Sequence, residues 1–139
     1  MKMNDYIKKT VRFGFEPTLK ELEKVLEKEG FSVVSEIRIH DRLKEKFHIN
    51  FRKFIIIGTR HTDFQNNFPG SGTEDNFSKM QCNFVIYQNS GNETEVGCYN
   101  PVALNGNSKN ADWKETEKQI AQKLNKVILR FENPQKQFG

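Results

Sequence analysis

Cys82 is the side chain in this 139-residue sequence whose type and position come nearest to offering nucleophilic chemistry. A thiol attacks only as the thiolate, which at neutral pH needs a base or a positive field beside it. His40 and His61 are the bases on offer, and Arg60 sits next to His61 in the chain. Together His40, Arg60, His61 and Cys82 form the candidate ligand-binding set, with Cys82 as its candidate nucleophile. Linear order does not put a histidine within hydrogen-bond reach of Cys82, and cysteine is among the most frequently buried residue types. Packing is therefore the competing role, and for Cys98, 16 residues further on, it is the principal one.

Metal and cofactor chemistry find little support. The two cysteines form no Cys-x-x-Cys pair, and the three histidines, spaced by 8 and 13, put no two on one helical face. No metal site is expected. Gly58 and the glycines of the 67–72 stretch make neither a phosphate loop nor a dinucleotide fingerprint, so no cofactor is expected either. Glu36 reads as a strand residue opposite Phe31, Val33, Ile37 and Ile39, placed to pair with a cation on a neighbouring strand.

The net charge of +4 is unevenly spread. Between Arg38 and His61 seven Lys and Arg stand against Asp41 and Glu45, so this window carries +5 and the rest of the chain −1. Arg38, Arg42, Lys44, Lys46, Arg52 and Lys53 are the candidate anion-binding residues. Such a face attracts an anionic ligand or a phosphate backbone; equally, it keeps a small protein dispersed in water. Phe47, Phe51 and Phe54 fit core positions better than stacking platforms, which counts against nucleic acid.

These residues must be positioned by elements that the apolar pattern predicts. Asp5 to Phe13 alternates as a strand, with Ile7, Val11 and Phe13 on one side. A helix follows, opened by Pro17 or by a Thr18–Glu21 capping box, with Leu19, Leu22, Val25 and Leu26 as its stripe and Gly30 as its stop. Phe31, Val33, Ile37 and Ile39 mark a half-buried strand. Asp41 then caps a short helix whose Leu43 and Phe47 face inward. The run from Phe54 to Ile57 is apolar at every position, so its strand should be covered on both faces and lie inside the sheet. From Arg60 to Asn76 the composition is polar and Gly-rich, predicting a short helical turn near Asp63–Asn67 and then the most mobile internal loop. Lys79 to Gln88 and Glu93 to Asn100 read as a hairpin about a four-residue loop. After a polar connection from Asn105, Asp112 opens a long helix lined by Trp113, Ile120, Ala121, Leu124, Val127, Ile128 and Phe131.

This adds up to one domain over residues 1–139, with its core between about 5 and 132. A chain of this length buries enough surface to fold without staples. With no apolar run long enough for a signal segment or a membrane span, a cytoplasmic protein with reduced thiols and no membrane partner is expected.

In this order the pieces resemble a bacterial and archaeal family known as domain of unknown function 302. They are Gly30-Phe31-x-Val33 with Glu36-Ile37, Leu43-Lys-Glu-Lys46, Asn50-Phe51-Arg52 with Ile57-Gly58, Cys82-Asn83, and Asn100-Pro101. The resemblance spans about Tyr6 to Phe131. It implies an α+β fold similar to the TATA-box-binding-protein-like class: one curved antiparallel sheet in β-α-β-β-β-β-α order with a long C-terminal helix, usually dimeric. It implies no activity. Where the family pattern has Cys-Asn-Pro, this chain has Arg60-His61-Thr62; Gln81 replaces a proline and Arg38 an acidic residue. A family function needing two thiols near that loop would be lost here.

Three readings follow. The first is a noncatalytic module that binds a small ligand or a partner, with a pocket between sheet and long helix and Cys82 near it. The second is a thiol-dependent enzyme using Cys82. The third is anion or nucleic-acid binding through the basic window 38–61. A homodimer is expected, built on the sheet or helix surface through Phe84 and Ile86, or Trp113 and Phe131, because the basic window would set like charges face to face.

Overall fold

The computed structural model describes residues 6–61, 81–100 and 111–131. In chain order the elements are β1 (Tyr6–Val11), α1 (Phe15–Lys28), β2 (Phe31–Arg38), α2 (Ile39–Phe47), β3 (Phe54–His61), β4 (Cys82–Ser90), β5 (Glu93–Tyr99) and α3 (Ala111–Leu129). The helical turn and loop expected after His61, and the polar connection before α3, lie outside the described residues.

All five strands join one open sheet in the order β1-β5-β4-β3-β2, with every neighbouring pair antiparallel. The β1-to-β2 connection therefore runs from one edge of the sheet to the other, and α1 makes that crossing. Its stripe of Phe15, Leu19, Leu22, Val25 and Leu26 is buried. From α3, Ile120, Leu124, Val127 and Ile128 join it, with Phe131 just beyond. Both helices press on the face formed by Ile55, Ile57, Phe84, Ile86 and Val96, all at most 2% exposed. Nonpolar burial of this kind supplies the main favourable term in folding.

Local chemistry sets the boundaries. α1 starts after Gly14 with no side-chain cap. Thr18 sits inside the first turn, where its Oγ1 donates to the Gly14 carbonyl at 2.8 Å, and Pro17 also falls in that turn, where no amide hydrogen is missed. Gly30 closes the helix at φ 87°, a conformation costly to any residue with a Cβ.

Four expectations change. The register of β2 on β3 shifts between Val33 and Ser35, so Ile37 pairs with Ile56 on the face away from α1 and α3, while Glu36 pairs with Ile57 on the helix face. A bulge inverts every later side chain of a strand. Ile39 belongs to α2, which starts after Arg38 rather than at Asp41 and has no buried residue; Phe47 is 64% exposed. The β4–β5 hairpin is tighter than expected, Ser90 pairing with Glu93 across Gly91-Asn92. Finally, Phe84, Ile86 and Phe131 are core residues and are not available to a partner. The side chain of Trp113 lies outside the described set.

Candidate functional site

Cys82 and Cys98 lie on the helix-covered face of neighbouring central strands, both free thiols and both buried. The Cys82 carbonyl accepts the Thr59 hydroxyl at 2.8 Å. Burial, with a hydrogen bond to the Cys82 thiol, pushes the Cys98 thiol well above its ordinary value. The environment thus holds the Cys98 thiol protonated, the opposite of what a nucleophile requires.

His61 is a diagonal neighbour of Cys82 on the same face, since Cys82 pairs with Thr59 two residues before it. Its Nε2–H donates to the Glu29 carbonyl at 2.8 Å, and its ring stands edge-on to Phe31 at 4.8 Å. These contacts fix β3 to the α1–β2 join. His40 sits at the other end of β3, about 23 Å away by seven residues of strand rise. There its Nδ1 accepts the Phe54 amide at 3.1 Å, its Nε2 lies 3.6 Å from Asp41, and its ring meets the edge of Phe15. Arg60 points to the face away from the helices, one position out of phase with Thr59 and His61. The proposed quartet is therefore divided: His61 and Cys82 share one end of the core face, Arg60 occupies the opposite face, and His40 ties α2 to the start of β3. The space between sheet and α3 where a pocket was expected is packed with Ile57, Phe84, Ile120 and Leu124.

The cations separate too. Arg38 is held by three carboxylates, Glu16 at 3.7 Å, Glu36 at 3.4 Å and Asp41 at 3.2 Å. Lys53 reaches Glu16 at 4.0 Å and lies over the Phe15 ring, and Arg52 donates to the Asn89 carbonyl at 3.0 Å. Arg42, Lys44 and Lys46 have no carboxylate partner among the described residues. Contrary to expectation, Phe51 is exposed and Phe54 only half-buried; both rings meet Tyr87 on the face away from the helices.

The doubly apolar Phe54–Ile57 run led to the expectation of cover on this face too, but the residues that form it are Val85 and Tyr87 rather than the expected Phe84 and Ile86. Ile37, Ile56, Val85 and Gly97 pair in one row across four strands, and Phe54 pairs with Tyr87 in the next. At its β1 margin Tyr6 stacks on Tyr99 with centroids 4.4 Å apart and donates to Glu95 at 3.2 Å. A Cβ at Gly97 would collide with the Tyr6 phenol, so the glycine is what lets that ring lie flat on the sheet. The signal was present in the sequence, since both alternations of Phe54–Ile57 and of Phe84–Tyr87 are apolar.

One open five-stranded antiparallel sheet, carrying α1 and α3 on one face, defines an α+β protein. The chain belongs to the family described as domain of unknown function DUF302, whose model matches residues 7–131. A solved relative, the uncharacterized conserved protein DUF302 from Bacillus stearothermophilus, superposes with a TM-score of 0.78. It is 24% identical, and the match covers 91% of this chain and 97% of the other, a likeness that shows the fold. A search of curated proteins finds no match. No helix among the described residues is long and apolar enough to cross a membrane.

Proposed function

We propose that the protein is a noncatalytic partner-binding module whose partner is a second copy of itself, held through the sheet face opposite α1 and α3. The observation that carries this is the apolar row Ile37–Ile56–Val85 with Phe54 and Tyr87 beside it, on strands whose sequence is apolar on both sides. Strands with that pattern belong inside a structure covered on both faces. Here α1 and α3 cover one face, and the other has an apolar middle with Lys8 and Glu95 toward one margin, the arrangement of a subunit interface. Five strands about 4.8 Å apart and about seven residues long present roughly 550 Å² in projection, which side-chain relief brings toward the ~800 Å² per partner of a stable interface. Two sheets packed face to face sit ~10 Å apart and need only modest side chains between them.

The burial of both thiols supports a binding role over a thiol-dependent one. Sedimentation equilibrium at micromolar concentration tests the reading. The expected mass is twice 16.3 kDa, falling to 16.3 kDa in Ile56→Lys with Val85→Lys while the circular dichroism stays native. A wild-type protein of 16.3 kDa across the concentration range, or a double variant that stays dimeric, would remove it.

A further inference from the structure

We infer that the turn from Phe47 to Lys53 docks the protein on a phospholipid surface that carries anionic headgroups. Three large apolar side chains alternate along this turn and stand in water: Phe47 at 64% exposure, Ile49 at 47% and Phe51 at 44%. Between and around them are Arg42, Lys44, Lys46, Arg52 and Lys53. Together the three present roughly 300 Å² of apolar surface on one short stretch, given that a whole aromatic side chain offers about 150–250 Å². An apolar patch of that size is as large as the largest patch of many monomers, which is often functional, and this one is set among five cations against Asp41 and Glu45.

The presentation is built into the fold. α2 ends with His48 in the left-handed region at φ 56°, and the amides of His48 and Ile49 bond back to the Lys44 and Leu43 carbonyls at 3.1 and 3.2 Å. This paired closure normally uses glycine. On the far side the Gln88 amide bonds the Lys53 carbonyl at 2.9 Å, and His40 grips the Phe54 amide. Phe47 and Ile49 are thus held outward by a hydrogen-bonded backbone. Beneath the turn lies a shallow cleft of about 230 Å³ lined by His40, Asp41, Lys44, Ile49, Asn50, Phe51 and Lys53. Lys44 is its cation without a carboxylate partner among the described residues, Lys53 being shared with Glu16 and the Phe15 ring, and its apolar side continues into the protruding Ile49 and Phe51.

Complementarity selects the occupant. A second copy would bring Lys44, Lys46 and Arg42 against their own like charges. Single-stranded nucleic acid would answer the cations and stack on the rings, but leaves Ile49, the middle of the three, without cover. A bilayer surface supplies both halves at once: aromatic and aliphatic side chains enter the boundary between headgroups and acyl chains, and Lys and Arg meet the anionic phosphates. The contact is peripheral, so it does not need the spanning segment whose absence led to the expectation of no membrane partner.

Flotation of the full-length protein with vesicles of phosphatidylcholine, with and without phosphatidylserine, tests this. Binding is expected to the phosphatidylserine vesicles, weaker at about 0.5 M salt, where the screening length is a few ångströms. Phe47→Ser with Ile49→Ser, and separately Lys44→Glu with Lys46→Glu, should each lower the bound-to-free ratio by roughly tenfold or more. Because all four residues are exposed, native circular dichroism is expected in both variants and is checked first. Four results would each overturn the proposal. They are no binding of the wild type to any vesicle, binding that Phe47→Ser with Ile49→Ser leaves unchanged, binding of a single-stranded oligonucleotide without binding of vesicles, and a change of sedimenting mass in either variant. The last would make the turn a subunit contact.

Discussion

Truncating Phe84 to alanine separates the two faces of β4 and can be worked through in numbers. Phe84 is fully buried, edge-on to Phe31 with centroids 5.6 Å apart and opposite Ile57 on β3. A buried phenylalanine removes about 150–250 Å² from water, and at ~25 cal/mol per Å² loss of most of that area costs about 4 kcal/mol, inside the range found for Phe→Ala in cores. Domains of this size are stable by about 5–15 kcal/mol, so Phe84→Ala should lose roughly a quarter or more of the total while still folding. With a urea slope of about 2 kcal/mol/M, the unfolding midpoint should fall by about 2 M. Val85, the next residue, points to the opposite face, which no described helix covers; Val85→Ala should cost about 1 kcal/mol or less when measured at low protein concentration. On the proposed dimer its cost should grow at high concentration, where that face would be paired. Equal losses for the two variants at low concentration, or a loss below about 1 kcal/mol for Phe84→Ala, would refute the assignment of faces.

Three further outcomes are expected. Both thiols should be inert to a disulfide reagent in the folded protein and titrate as two on denaturation without reductant; fast modification of Cys98 below pH 9 would contradict its buried, raised thiol. Gly30→Ala should destabilise by about 2 kcal/mol, since φ is 87° and the new Cβ would lie 2.7 Å from His61 Nε2; a neutral result in urea unfolding would refute the strain argument. Burial and the Glu95 carboxylate push the Tyr6 phenol well above its ordinary 10.0. Stability from this group is complete below pH 10, where the unfolded chain's phenol is still protonated, and is lost as pH rises through the folded value. The difference between wild-type and Tyr6→Phe phenolate absorbance should therefore have its midpoint above 10, and a midpoint at or below it would refute the contact.

The fold was largely legible in the chain because its periods are clean. Leu19, Leu22, Val25 and Leu26 can share only one helical stripe, the 120–131 stripe is equally unambiguous, and Gly30 marks a junction that takes a positive φ. What periodicity could not decide was which side of a doubly apolar strand would meet the helices. Phe84 with Ile86 and Val85 with Tyr87 are equivalent in sequence, and only the antiparallel register assigns the first pair to the core. The candidate ligand-binding set is divided in space for a related reason. Residues of alternating parity on one strand, such as Arg60 and His61, fall on opposite faces, and His40 and His61 are separated by the whole length of β3. Val34 and Ser35 break the alternation of β2 in the sequence, but only the structure shows that the break is a bulge that reverses every side chain that follows, sending Ile37 to the face away from the helices and Glu36 to the helix side. Sequence specifies local period; the pairing of strands distant in the chain, through hydrogen bonds whose register shifts by whole residues, decides which face each period serves.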